Sequence, residues 1–297
     1  MDGIFNVNKP VGWTSHDVVA AVRRWSGERR VGHAGTLDPA ASGVLLVCLG
    51  RATRLAEYLA ASRKAYWAEV TLGVSTDTDD AAGQVMATAA VEVTPAQLMA
   101  ALSEFQGHLQ QRPPAYAALK RDGVPFYRLA RAGVAVKAAP RPVIIHRLTL
   151  LAYRPPAVVL DVECSAGTYV RSLARDLGEH LGCGAHLSRL VRRASGRFTL
   201  GEALDLLTLQ DSLAQGYWPA LLYAPDEALL DYPAAILGQD SVTRIRQGRA
   251  LPDLSPHPSP NREGGGVCRA YDFDGELIAI LRREPEATAW RPEKVLA

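Results

Sequence analysis

Apolar and polar positions alternate in two rhythms along this chain, and the switches between them mark its elements. Thr14-Ser15-His16-Asp17, followed by Val18, Val19, Val22 and Trp25 with Gly27 beyond, has helical spacing between a capping start and a glycine stop. It predicts an amphipathic helix ending at Gly27, preceded by a short apolar strand over 4–7. Tyr66, Ala68, Val70 and Leu72 alternate with Trp67, Glu69 and Thr71, the period of a half-buried strand. The unbroken run over 44–49 suits a buried strand or helical turn closed by Gly50, with a helix following over 52–62. Thr94-Pro95 starts another helix reaching about Phe105. After a Pro-punctuated loop over 111–116, strand-like runs occupy 143–151 and 158–164. Gly167-Thr168 then opens a helix with a core stripe of Val170, Leu173, Ala174, Leu177 and Leu181, and Arg171 and Arg175 share another of its faces.

Helices and strands intersperse without a regular βαβ rhythm, so the class is α+β with a mixed, largely antiparallel sheet. Tyr232-Pro233 marks a boundary between a large unit, 1–232, and a small β-rich one, 233–297. Within the latter, the Pro/Gly-rich stretch 255–266 cannot pack and is expected to be a flexible surface loop.

Composition narrows the function classes. With 48% hydrophobic and 22% charged residues, the 297-residue chain is neither disordered nor collagen-like. No stretch approaches the ~18 apolar residues of a membrane span, and Met1-Asp2-Gly3-Ile4 lacks a basic leader, so a cytoplasmic protein is expected. Cys48, Cys164, Cys183 and Cys268 form no Cys-x-x-Cys pair and are expected to be reduced. The net charge of +2 argues against a polycation, yet 28 of the 33 basic residues are Arg, suited to forked phosphate contacts.

The densest cluster of special residues is Arg30-Val31-Gly32-His33-Ala34-Gly35-Thr36-Leu37-Asp38-Pro39-Ala40-Ala41-Ser42-Gly43. Its glycines suggest backbone held close to something, with Asp38 presented on a turn. The plainer local reading makes Asp38 the cap of a helix starting at Pro39 and His33 a loop histidine. A phosphate loop and a nucleophile elbow both fail on spacing. Asp77, Asp79 and Asp80 hint at calcium, but the loop lacks the later oxygen ligands and reads better as a solvated turn. No His-x-x-x-His pair supports a metal enzyme. Tyr66, Arg171 and the basic stretch Arg189-Leu190-Val191-Arg192-Arg193 are individually weak: a core aromatic, a surface charge, a charged strand or a backbone tracker.

In combination these segments resemble a known family. Gly32-His33-Ala34-Gly35-Thr36-Leu37-Asp38-Pro39-Ala40-Ala41-Ser42-Gly43-Val44-Leu45 is similar to the catalytic motif of the bacterial TruB-type tRNA pseudouridine synthases. Lys64-Ala65-Tyr66, Ser75-Thr76-Asp77-Thr78-Asp79, Ala117-Ala118-Leu119-Lys120, Gly167-Thr168-Tyr169-Val170-Arg171 and Gly182-Cys183-Gly184-Ala185-His186-Leu187 match further motifs in the same order. The likeness covers about residues 4–200, with a weaker match to a PUA-like C-terminal RNA-binding domain beyond. Two departures are Ala65, where a second basic residue is common, and the 255–266 insertion.

The resemblance implies a pseudouridine synthase catalytic domain that isomerises uridine 55 in the T loop of tRNA. It implies no metal, organic cofactor or guide RNA and no obligatory protein partner; no membrane association is expected from the apolar runs, and a monomer is the default expectation. Asp38 matches the family's nucleophile and Arg171 the arginine that pairs with it. Tyr66 matches the tyrosine stacked on the flipped base, Tyr169 and Leu190 the pocket walls, and His33 the residue that fills the gap in the RNA loop. Two other readings remain open: an RNA-binding, tRNA-folding module with incidental catalysis, and a guide-RNA-dependent relative.

Overall fold

The computed structural model describes residues 1–116, 120–121, 124–125, 138–252, 266–284 and 289–296. Residues 117–119 of the Ala117-Ala118-Leu119-Lys120 motif and 255–265 of the Pro/Gly-rich stretch lie outside the described residues.

Strands β1 (Gly3–Lys9), β2 (Val31–Ala34), β3 (Ala41–Leu49) and β4 (Lys64–Leu72) are followed by the small pair β5 (Val74–Thr76) and β6 (Val85–Thr88), then β7 (Gly107–Gln111). Two two-residue strands, β8 (Lys120–Arg121) and β9 (Val124–Pro125), precede β10 (Arg141–Arg154), β11 (Ala157–Cys164), β12 (Ala185–Ser195) and β13 (Phe198–Thr199). The helices of this part are α1 (Ser15–Ser26), α2 (Ala56–Ala61), α3 (Pro95–Glu104), α4 (Val170–His180) and α5 (Leu206–Gln215).

The central sheet runs β1-β3-β12-β4-β11-β10-β7, with β2 and β13 attached to β3 and β12. All its pairings are antiparallel except β3 with β12. It is therefore mixed and largely antiparallel, as the interspersed pattern implied. Strand β12 enters from far along the chain and parts β3 from β4, bringing Leu190 opposite Ala41 on one side and Ala68 on the other.

Local chemistry explains the elements. In α1 Thr14 and Asp17 form a reciprocal capping box, and Gly27 closes the helix in the left-handed conformation. In β4 every second residue from Lys64 to Leu72 is buried, matching the alternation read from the sequence. The run over 44–49 is buried on both sides because its side chains feed two cores. Leu45, Val47 and Leu49 face α1, whereas Val44, Leu46 and Cys48 pack with Ile4 and Phe198. The helix expected over 52–62 begins as a 3-10 segment, Gly50–Leu55, and becomes α-helical only at Ala56. No helix begins at Pro39: the Ala41 N–H donates to the Asp38 carbonyl across a tight turn and β3 starts immediately.

Gly43 lets β3 and β12 approach. Its φ is +103°, and a Cβ there would stand 2.2 Å from the Arg192 carbonyl oxygen.

Beyond Pro233, β14 (Ala234–Ile236), α6 (Gln239–Arg246), β15 (Gly266–Tyr271), β16 (Leu277–Arg283) and β17 (Arg291–Val295) form a four-stranded sheet with one covering helix. It has its own core around Val242, Ile245, Leu281 and Trp290. A second apolar group, Leu55 and Leu229 with Val267, Ile280 and Leu296, joins it to the larger part. Arg51 donates to the Leu296 carbonyl at 3.2 Å, and Tyr58 donates to Glu293 at 2.9 Å. Among the described residues no helix is long and apolar enough to cross a membrane.

Candidate active site

The turn before β3, the head of β4, the N-terminus of α4 and the middle of β12 converge on a cleft of about 310 Å³. Asp38, Tyr66, Tyr169, Arg171 and Leu190 all line it. They come from four segments spread over more than half the chain, assembled because β12 sits beside both β3 and β4.

Arg171 lies on the first turn of α4, its side chain only 7% exposed, and its Nη2 stands 3.0 Å from Asp38 Oδ2. Its other arm reaches Asp80 Oδ2 at 3.4 Å, and it donates to the carbonyls of Thr78 and Tyr116, each at 3.3 Å. The guanidinium is thus held from several directions. Asp38 keeps 44% of its side chain accessible, at the floor of a recessed cleft. Burial pushes its carboxyl above the ordinary range, opposed by Arg171 and assisted by the like charge of Asp80.

Tyr66 is buried on β4, and burial raises its phenol while neighbouring Arg192 pulls the other way. Tyr169 precedes α4 and is clamped by Gln111, which accepts from the Tyr169 N–H at 2.8 Å and donates to its carbonyl at 3.0 Å. Leu190 forms an apolar wall opposite. His33 stands apart from this group. It lies on β2, edge-on to His16 with ring centroids 5.4 Å apart, and its Nδ1 is buried without a hydrogen-bond partner. Burial, helped by His16 and Arg192, lowers its imidazole to about 4.

Three buried cations complete the frame. Arg192 donates through Nε to the Val44 carbonyl at 2.6 Å and through Nη2 to the Gly35 carbonyl at 2.8 Å, tying the glycine-rich turn to β3. Lys64 donates to the carbonyls of Leu59, Ala60 and Ser62 and so caps the end of α2. Lys9 donates to the carbonyls of Pro10 and Trp13, and burial lowers its ammonium to about 8 against the pull of Asp38.

The chain matches the model of the TruB family pseudouridylate synthase N-terminal domain over residues 23–170 and that of the tRNA pseudouridylate synthase B C-terminal domain over 171–230. It is 42% identical over 296 residues to a tRNA pseudouridine synthase B of Dehalococcoides mccartyi strain CBDB1, covering 99% of this chain and 96% of that one. The chain belongs to the TruB family of tRNA pseudouridine synthases.

A Symbiobacterium thermophilum relative of the same name is 51% identical over 254 residues, covering 84% of this chain and 83% of its own. Among solved structures, a Cbf5-Nop10-Gar1 complex aligns with TM-score 0.79 and 27% identity, over 99% of this chain and 85% of that chain. A further structure, of an H/ACA ribonucleoprotein bound to a substrate RNA containing 2′-deoxyuridine, aligns with TM-score 0.76 and 26% identity, over 99% and 85%. As a TruB-family member the protein is an isomerase acting on tRNA, with the pseudouridine synthase fold expected from its motifs.

In this TruB-family cleft the sequence had left several residues unassigned. Asp79 and Asp80, read as part of a solvated turn, are instead taken up by Arg175 and Arg171, with side chains only 13% and 14% exposed. Their partners lie more than 90 residues away, so local spacing carried no signal for them. Arg192, read within a charged strand, is one of the most buried side chains of the protein. Its alternation with Leu190 along β12 was the available clue.

Proposed function

We propose that the protein isomerises uridine 55 in the T loop of tRNA to pseudouridine, with Asp38 as nucleophile and without cofactor, guide RNA or partner protein. The observation that carries this reading is the 3.0 Å contact between Arg171 and an Asp38 carboxylate that still opens onto the cleft. A stacked uridine offers no access to its reacting atoms, so the nucleotide must be extruded into the cleft, at a cost of a few kcal/mol that stacking partly returns. The cleft volume suits such a group.

There the ionised Asp38 attacks the ribose C1′ or the uracil ring as the N1–C1′ bond breaks. Arg171 keeps the carboxylate charged and aimed. The detached uracil turns against Tyr66 and Leu190 and rejoins C1′ through C5, and the bond to Asp38 breaks so that the carboxylate is released. The proton leaves C5, a step in which Tyr66 is a candidate to assist, and N1 gains one. Leu190 and the ring of Tyr169 exclude water that would otherwise hydrolyse the activated sugar. His33, outside the cleft, is suited to filling the gap left in the RNA loop. Residues 1–232 form the catalytic unit and 233–297, with the sheet of β14–β17, a PUA-like unit that grips RNA. The setting is the cytoplasm, where tRNA is available.

The test is tritium release from an unmodified tRNA transcript labelled at C5 of uridine, with purified protein alone. Release mapped to the T loop by wild type, and none by Asp38→Asn at undiminished tRNA affinity, is expected. Release by Asp38→Asn at the wild-type rate overturns the assignment.

A further inference from the structure

Asp79 is the one non-glycine residue with positive φ among the described residues, at 61°. L side chains rarely adopt this conformation, and it persists only where the surroundings hold it. Here the surroundings are specific. Arg175 Nη1 stands 2.8 Å from Asp79 Oδ2, the Leu187 N–H donates to the Asp79 carbonyl at 3.0 Å, and the Asp79 N–H donates to the Thr76 carbonyl at 3.3 Å.

The next residue is Asp80. Its Oδ1 accepts from the Thr78 hydroxyl at 2.6 Å and from the Ala82 N–H at 3.0 Å, which leaves Oδ2 directed at Arg171. The carbonyl of Thr78, on the other side of Asp79, accepts from the same guanidinium. The left-handed turn therefore presents two of the three groups that hold Arg171 from behind, the third being the Tyr116 carbonyl.

Arg175 follows Arg171 by one helical turn on α4, so the two guanidinium groups grip adjacent residues of one loop. Asp176 orients Arg175 through contacts of 2.7 and 2.9 Å, and the Arg112 carbonyl accepts from its Nη2 at 3.0 Å. With the Arg175 and Asp79 side chains 22% and 13% exposed, this pair is sheltered far better than an ordinary surface ion pair.

We propose that the Arg175–Asp79 ion pair is a positioning device for the isomerisation: it fixes the turn at Asp79, and through Asp80 and the Thr78 carbonyl it sets Arg171 against Asp38. Neither residue touches the cleft, and neither contributes to the chemistry except through Arg171. This inference rests on the reading of Asp38 as nucleophile.

The experiment compares wild type, Asp38→Asn, Asp79→Asn, Asp79→Gly and Arg175→Lys on the same labelled transcript, with enzyme in saturating excess, alongside filter-binding affinities for tRNA. Asp79→Asn is expected to release tritium about tenfold more slowly, with affinity within about twofold of wild type. Asp79→Gly relieves the backbone but lacks the ion pair, so it is equally slow, while Arg175→Lys recovers part of the rate. In an Arg171→Lys background the Asp79→Asn substitution adds little further loss, because the two act through one group.

Wild-type turnover by Asp79→Asn or Asp79→Gly overturns the proposal, as does a loss that multiplies in full on Arg171→Lys or is accounted for by weaker tRNA binding. Should Asp79→Asn fail to fold by thermal melt, Arg175→Lys decides alone: a reduced saturating rate at unchanged affinity supports the pair and a wild-type rate overturns it. Asp38→Asn separates the two readings. Its full activity removes the nucleophile and the positioning role together, whereas its silence beside a full-rate Asp79→Asn removes only the latter.

Discussion

Arg171 and Asp38 meet as an unequal pair: the cation is 7% exposed and fixed from behind by Asp80, Thr78 and Tyr116, while the anion is 44% exposed and faces the cleft. In the proposed reaction, fixing the arginine leaves the carboxylate free to react without having to build its counter-ion at the moment of reaction.

A pH profile tests this arrangement. Burial and Asp80 both push the Asp38 carboxyl up, so the acid limb of saturating tritium release lies above pH 3.8, the ordinary aspartate value. Asp80→Asn removes a like charge while its side-chain amide still accepts from Arg171 and keeps that guanidinium beside Asp38, so the limb moves to lower pH. A limb that stays in place, or moves upward, contradicts the coupling.

Backbone approach at Gly43 gives a stability prediction. Gly43→Ala must find room for a Cβ 2.2 Å from the Arg192 carbonyl oxygen at a φ of +103°, and is expected to lose about 2–4 kcal/mol in urea unfolding. Gly12→Ala is the control: φ there is +87° but no atom lies within 4 Å of the added methyl, so about 1 kcal/mol is expected. Equal losses at the two sites would show that only φ matters and that the β3–β12 approach does not.

His33 makes stability depend on mild acidity. Its imidazole titrates near 4 in the folded protein against 6.5 when unfolded, so between those values the unfolded chain binds the additional proton. Stability is therefore full above pH 6.5 and falls as pH drops towards 4, by at most about 3 kcal/mol. Urea midpoints at pH 7 and pH 4.5 should converge in His33→Asn relative to wild type, and an unchanged difference would rule out His33 as the source.

Local chemistry was readable and distant chemistry was not. The α1 helix carries its capping box and glycine stop within 14 residues, and β4 carries its alternation, so both were legible from the sequence. Asp38 looked like a helix cap because Asp-Pro is a common helix start. What makes it a turn instead is β12, which claims the following residues as a strand from about 150 positions away. The acidic turn at 77–80 was misread for the same reason, since a carboxylate looks solvated until its arginine arrives. Lys9 shows the limit most clearly: nothing local distinguishes a charge that will be buried against carbonyls from one that will meet water.

Because β12 lies between β3 and β4, a growing chain on the ribosome cannot finish its central sheet in the order in which it is made. The segments carrying Asp38 and Tyr66 are synthesised early, yet Arg171, Leu190 and Arg192 follow more than 100 residues later. The centre of the sheet must hold a place for a strand that does not yet exist, and closing it is a long-range, slow event. With the proposed site, a nascent chain is consequently inert towards RNA chemistry until almost two thirds of it has emerged, which makes assembly of the sheet the step that switches the enzyme on.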